Sequence, residues 1–259
     1  MDFEILHYDI DGVATAVRVI GKGPAVLALH GAATIEGTDW ARGLADRFRV
    51  YLPHHPGFGD SGEATHIAGM QDIVVHNLRL VAALDLDRPH LVGHSMGGWM
   101  AAEMAVVAGE RFGKLVLNAP AGLNDPDHPG ADLSAIGPDA LPGYLAHNVD
   151  VALRFFPGGA ECPPLDAFLA ARERESRALG NILKVHGMGH PNLRRWLARI
   201  PNETLIVWGE HDRMLPASQA PIWQELIAHA RTLLVPQVGH FAMQEDPRVV
   251  RGIGDFLAS

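Results

Sequence analysis

Six short, uninterrupted apolar runs, separated by stretches of helical periodicity, constrain this chain more than any other feature. They are residues 25–30 (AVLALH), 50–53, 90–92, 114–118, 204–208 and 232–235. Each is short for a helix and lacks the alternation of a strand with one wet face, so each reads as a strand covered on both faces. Between them, Met70, Ile73, Val74, Leu78, Val81 and Leu84 follow a 3.6-residue period. Residues 97–107 are rich in alanine and methionine, and 221–230 and 247–257 supply two more helical patterns. Strands alternating with helices predict an α/β fold: a mostly parallel sheet flanked by helices. An N-terminal hairpin is expected around Asp11-Gly12, which suits a primed turn between runs 3–9 and 13–20.

The alternation stops between residues 122 and 191. That stretch is rich in proline and glycine, and its charged segment 165–179 reads as a helix with a solvated face. It is too long for an ordinary loop. The expected organisation is a core of residues 1–121 and 192–259 with a helical cap, 122–191, inserted over the sheet. Leu153, Phe155, Phe156, Phe168, Leu183 and Met188 are more apolar side chains than a solvated loop exposes without cause, so some are expected to face the core.

The chemistry concentrates at the ends of the runs. Gly93-His94-Ser95-Met96-Gly97 follows one run and opens a helical segment, which is G-x-S-x-G in a strand–turn–helix setting. A turn that sharp needs small residues at Gly93 and Gly97, and it places Ser95 beside a helix N-terminus whose free N–H groups suit an oxyanion. A serine becomes a nucleophile only with a base, and the base needs an orienting group. His240 follows run 232–235 and Asp212 follows run 204–208. Parallel strands all end on one side, so both loops belong at the sheet edge where Ser95 emerges. Ser95 as nucleophile, Asp212 as acid and His240 as base are the expected catalytic set. Asp125, soon after run 114–118, is the alternative acid.

With these pieces the chain resembles the α/β-hydrolases over nearly its whole length. His30-Gly31-Ala32-Ala33, Pro56-Gly57-Phe58-Gly59-Asp60-Ser61, the Ser95 elbow, WGEHD around Asp212 and GHF at His240 carry the resemblance. It implies an oxyanion hole of two backbone N–H groups, from Met96 and from Ala32, with Ala33 as an alternative to Ala32. Relatives often carry an aspartate where this chain has His54. His54 and His55 are read as residues that hold their loop. Dehalogenases and epoxide hydrolases of the family place an aspartate at the serine position, which argues against both. Ring-cleavage C–C hydrolases usually have Asn before the serine and Trp after the base, where this chain has His94 and Phe241. The expected function is hydrolysis of a small, mainly apolar ester or related acyl compound through an acyl-enzyme. C–C hydrolysis, cofactor-free perhydrolysis and a ligand-binding receptor on the same fold are the alternatives.

Other signals exclude more than they suggest. Fifteen histidines invite a metal, yet the best pair, His186 and His190, is set among Gly187, Gly189 and Pro191, which oppose a helix. Gly21-x-Gly23 lacks the third glycine of a dinucleotide fingerprint, and there is no phosphate loop. No metal and no cofactor is expected. A net charge of −9 gives no footprint for nucleic acid or anionic lipid, so the expected partner is a small-molecule substrate. No apolar run approaches the length of a membrane span. One cysteine, Cys162, and an N-terminus without a basic, apolar leader point to a cytoplasmic protein.

Overall fold

Five of the six apolar runs form the interior of one eight-stranded sheet in the computed structural model of the chain, which describes residues 1–35 and 37–259; the sixth, 232–235, lies in a strand at the sheet's edge, where Leu234 is exposed, so it is not covered on both faces as expected. The strands are β1 (Glu4–Ile10), β2 (Val13–Gly21), β3 (Ala25–Leu29), β4 (Arg49–Pro53), β5 (His90–His94), β6 (Leu115–Asn118), β7 (Thr204–Gly209) and β8 (Ala230–Val235). Their order across the sheet is β1-β2-β4-β3-β5-β6-β7-β8. β2 pairs antiparallel with β1 and β4, and every later pairing is parallel. Asp11 and Gly12 join β1 to β2 with φ of 54° and 80°, the left-handed pair that a primed turn requires.

Successive side chains of a strand point to opposite faces, and in the central strands β3, β5, β6 and β7 both faces are dry. Leu27, Leu91, Leu117, Ile206 and Trp208 enter a core that they share with α1 (Met70–Ala83) and α2 (Met96–Ala108). Val26, Ala28, Val92, Val116 and Val207 enter a second core built on α9 (Pro247–Ala258). That is why these strands read as unbroken apolar runs. α2 is buried on nearly every side, and its run of alanines lets it lie close on β5 and β6. α9 starts where its sequence says it should: Asp246 accepts the Arg248 N–H at 2.8 Å and Pro247 occupies the first turn.

Residues 122–191 leave the sheet after β6 and return before β7, and Gly122 and Gly189 pair as an isolated parallel bridge that draws the two ends together. The segment holds α3 (Leu141–Leu145), α4 (Val149–Leu153) and α5 (Leu165–Leu183); α6 (Leu193–Trp196) follows it. α3 and α4 are single turns with no clear sequence signal. α5 runs four residues beyond the expected 179, and its charged stretch is not simply solvated, because Glu175 is 2% exposed. Phe155, Phe156 and Phe168 are buried with Leu145, Met214 and Phe241, whereas Leu153 is exposed.

The helix expected over 221–230 is shorter. α7 (Ala220–Leu226) stops where Ile227 turns extended, at φ −117° and ψ 111°, so that the chain can enter β8 at Ala230. A last turn, α8 (Ala242–Glu245), follows the His240 loop.

Candidate active site

Ser95 stands between β5 and α2 with φ 52° and ψ −117°, a conformation a non-glycine residue adopts only when its surroundings impose it. The surroundings are visible. The Ser95 N–H donates to Asn118 O at 2.9 Å, and its own carbonyl accepts from Ala121 N at 3.0 Å and Trp99 N at 3.1 Å. A Cβ on Gly97 would lie 2.2 Å from Leu29 O and 2.5 Å from His30 O. The elbow therefore requires glycine there, and the same close approach sets the end of β3, at Leu29 and His30, against the start of α2. Met96 is the first residue of α2, so its N–H has no acceptor within the helix. Ser95 is 8% exposed.

β7 and β8 deliver the other two residues. Asp212 Oδ2 lies 2.7 Å from His240 Nδ1, and both side chains are almost wholly buried. Asp212 Oδ1 accepts the N–H groups of Met214 at 2.8 Å and Leu215 at 2.9 Å, which fixes the carboxylate plane. Gly209 makes room for this pairing: a Cβ on it would strike Gly239 O at 2.3 Å. Both Asp212 oxygens are placed as acceptors, so Nδ1 of His240 carries the proton of this contact and the lone pair of a neutral ring lies at Nε2.

The His240 ring meets the elbow itself. Its centroid lies 4.6 Å from the ring of His94, the residue before Ser95. Burial holds the His94 imidazole well below the usual histidine range, and the neighbouring His240 lowers it further. A neutral His94 leaves His240 free to take up a proton without facing a like charge. The sequence names His94 only as a departure from relatives, and nothing in it announces this contact.

The alternative acid is elsewhere engaged. Asp125 Oδ2 accepts from Arg194 at 3.0 Å, and its Oδ1 accepts the Asp127 N–H. His54 and His55 serve their loop. His54 Nδ1 accepts the Asp60 N–H at 2.9 Å, and His55 Nε2 donates to His30 O at 3.2 Å. His186 and His190 lie edge to face, and His190 stacks on Trp196 while its Nδ1 accepts the Asn192 N–H.

The inserted segment reaches the same loops. Phe241 N–H donates to Leu145 O at 2.7 Å. Glu245 accepts from Gly239 N–H at 2.7 Å and from Asn148 N–H at 2.9 Å. On the other side of the site, the buried Glu175 of α5 accepts from the Thr34 N–H at 3.0 Å and the Thr34 hydroxyl at 2.6 Å. Neither glutamate stands out in the sequence, because a charged residue on a helix is normally a solvated one.

Residues 26–253 match the model of the Alpha/beta hydrolase family. The chain is 31% identical to the 2-hydroxy-6-oxo-6-phenylhexa-2,4-dienoate hydrolase of Comamonas testosteroni, over 93% of this chain and 90% of that protein. Among solved structures, a membrane phospholipase A described as a bacterial virulence factor superposes with a TM-score of 0.83 at 23% identity, covering 99% of this chain and 86% of that one. A serine hydrolase involved in carbazole degradation superposes with a TM-score of 0.79 at 22% identity, covering 99% of both chains. At those identities the two structures speak for the fold. Among the described residues no helix is long and apolar enough to cross a membrane. The matched model, the full-length relative and the shared sheet agree, and the chain is a member of the alpha/beta hydrolase family.

Proposed function

We propose that Ser95, His240 and Asp212 form a catalytic triad that hydrolyses a small, mainly apolar ester or related acyl compound. The observation that carries this reading is the buried 2.7 Å contact between His240 Nδ1 and Asp212 Oδ2, with the His240 ring 4.6 Å from that of His94, the residue before the strained Ser95. Ser95 Oγ attacks the carbonyl carbon and gives its proton to His240 Nε2. The developing oxyanion is held by the N–H groups of Met96 and Ala32. The leaving alkoxide takes the proton from Nε2, and the acyl group stays on Ser95. Water, deprotonated by the same nitrogen, then releases the acid. Residues 122–191 act as the cap, and the aromatic cluster of Phe155, Phe156, Phe168 and Phe241 supports an apolar acyl site. A cytoplasmic location fits the lone cysteine.

A second reading is favoured by the Comamonas testosteroni relative, whose name describes a C–C hydrolase. The same triad would then attack a vinylogous ketone, and the leaving carbon would have to be protonated as the bond breaks. One assay separates the two. Purified protein is offered p-nitrophenyl butyrate and 2-hydroxy-6-oxo-6-phenylhexa-2,4-dienoate, and it is treated with a fluorophosphonate followed by mass mapping. The ester reading expects p-nitrophenolate release, no loss of dienoate colour beyond the blank, and one label on Ser95. Faster turnover of the dienoate than of the ester hands the assignment to the second reading. A label on another serine defeats both.

A further inference from the structure

We infer that Glu175, on α5 of the inserted segment, is a positioning residue that holds the oxyanion loop in its working geometry; this rests on the triad reading above. The carboxylate is 2% exposed and carries four donors. Oε2 takes the Thr34 N–H at 3.0 Å and the Arg172 guanidinium at 2.8 Å. Oε1 takes the Thr34 hydroxyl at 2.6 Å and the Gly59 N–H at 3.1 Å. A carboxylate this deep is tolerated only when its lone pairs are used and its charge is paired, and both conditions are met here. One side chain thus ties α5 to two separate loops of the core, the turn after β3 and the turn after β4.

The loop after β3 is held at its other end by His30. Nδ1 lies 2.8 Å from Gly31 O, and a carbonyl only accepts, so Nδ1 bears the proton. Nε2 accepts the His55 N–H at 3.0 Å, which settles the neutral tautomer. Across a trans peptide the N–H points opposite to the preceding carbonyl. Fixing Gly31 O on the His30 ring therefore fixes the Ala32 N–H on the other side. Ala32 and Ala33, the two residues that can offer the second oxyanion donor, lie between this anchor and the Glu175–Thr34 anchor. Without Glu175 the Thr34 end of the loop keeps only the long contact from Arg172 to the Thr34 hydroxyl, at 3.5 Å, among the described hydrogen bonds at that residue.

An oxyanion donor acts by being in place before charge develops, and a misplacement of an ångström costs rate without costing ground-state binding. A structural strap would show itself in stability alone. Glu175→Gln tests the difference, because its amide turns an NH2 toward backbone N–H groups that need an acceptor. Thr34→Val removes only the hydroxyl contact, and Thr34→Ser restores it.

The experiment measures, for each variant, Tm, the rate constant and Kd for phosphonylation by a fluorophosphonate, which loses fluoride, and kcat and KM for p-nitrophenyl butyrate, all well below the lowest Tm. Glu175→Gln is expected to lower the phosphonylation rate constant and kcat by about tenfold to a hundredfold, with Kd and KM changed less than about threefold. Thr34→Val is expected to show a smaller loss in the same two constants, and Thr34→Ser to recover most of it. A folded Glu175→Gln with wild-type phosphonylation and kcat overturns the inference, whatever its Tm. If Glu175→Gln does not fold, Thr34→Val decides alone, and an unchanged phosphonylation rate overturns the inference. Failure of the triad reading looks different: the wild type itself would take no label at Ser95.

Discussion

Asp212 presents one oxygen to His240 Nδ1 at 2.7 Å and the other to two backbone N–H groups, those of Met214 and Leu215. That division predicts how Asp212→Asn will misbehave. The amide oxygen will keep the two backbone donors, so the NH2 will face His240 and demand an acceptor at Nδ1. The proton then moves to Nε2, where the lone pair is needed. We expect kcat to fall by a factor on the order of ten thousand with little change in Tm. Asp125→Asn, whose partner is Arg194, should leave kcat within about twofold of wild type, the size of effect expected of a side chain outside the triad. The reverse pattern of rates would move the acid to Asp125.

Ser95 and Gly97 separate chemistry from architecture within one turn. Ser95→Ala should fold, because the strained φ is imposed by the elbow, and should lose activity by roughly a million-fold along with its fluorophosphonate label. Gly97→Ala should instead lose stability, since its Cβ would sit 2.2 Å from Leu29 O. A cost of about 3 kcal/mol or more is expected for so close a backbone collision. Thermal denaturation of the two variants side by side is the check, and a normally stable Gly97→Ala would contradict the elbow as described.

Several buried histidines are held neutral, and this sets an acid limit on stability. Burial pushes the His55 imidazole down to about 3, with His76 and His54 adding to the effect, and pushes His76 down to about 4. In the unfolded chain both titrate near 6.5. A group whose folded value is depressed favours the folded state above the unfolded value and loses that advantage as pH falls. Each should therefore destabilise the fold by about 1.4 kcal/mol per pH unit, between roughly pH 6.5 and its folded value. Tm measured from pH 7 to pH 4.5 should drop steadily. His76→Gln should flatten the slope, and an unchanged slope would show that His76 is protonated in the folded protein. His55→Gln should reduce Tm more than it reduces kcat.

The inserted aromatics should sort acyl chains. Phe156 and Phe168 lie 6.2 Å apart, centroid to centroid, in the cluster that also receives Phe155 and Phe241. Enlarging that space with Phe168→Ala should raise kcat/KM for p-nitrophenyl octanoate relative to the acetate by roughly tenfold, within the ~1–3 kcal/mol that one methylene can discriminate. Ser95 should still take a fluorophosphonate. If alanine at Phe155, Phe156 and Phe168 in turn leaves the chain-length profile unaltered, the selecting surface lies in the loops of the sheet domain.

The sequence by itself determined the interior of the sheet, because strands buried on both faces must be written in apolar residues; the sixth run, 232–235, reads the same way yet lies at the sheet's edge, which only the strand order decided. It also determined the elbow, since only glycine tolerates the approach at Gly97, and the hairpin at Asp11-Gly12, since the primed turn needs left-handed φ at both positions. The placement of Ser95, Asp212 and His240 after β5, β7 and β8 was legible because parallel strands all end at one edge, so position along the chain translates into position in space. What lies inside the inserted segment was not legible. α3 and α4 are single turns whose apolar side chains pack against the Phe241 loop, and their shape depends on that surface more than on their own periodicity. Glu175 was hidden in a charged helical run for the same reason. Glu173 and Arg177 beside it are solvated, and the Thr34 and Gly59 groups that make its burial tolerable are more than a hundred residues away. The pairing of His94 with His240 was also decided only in three dimensions, across two loops that meet when β5 and β8 take their places in one sheet.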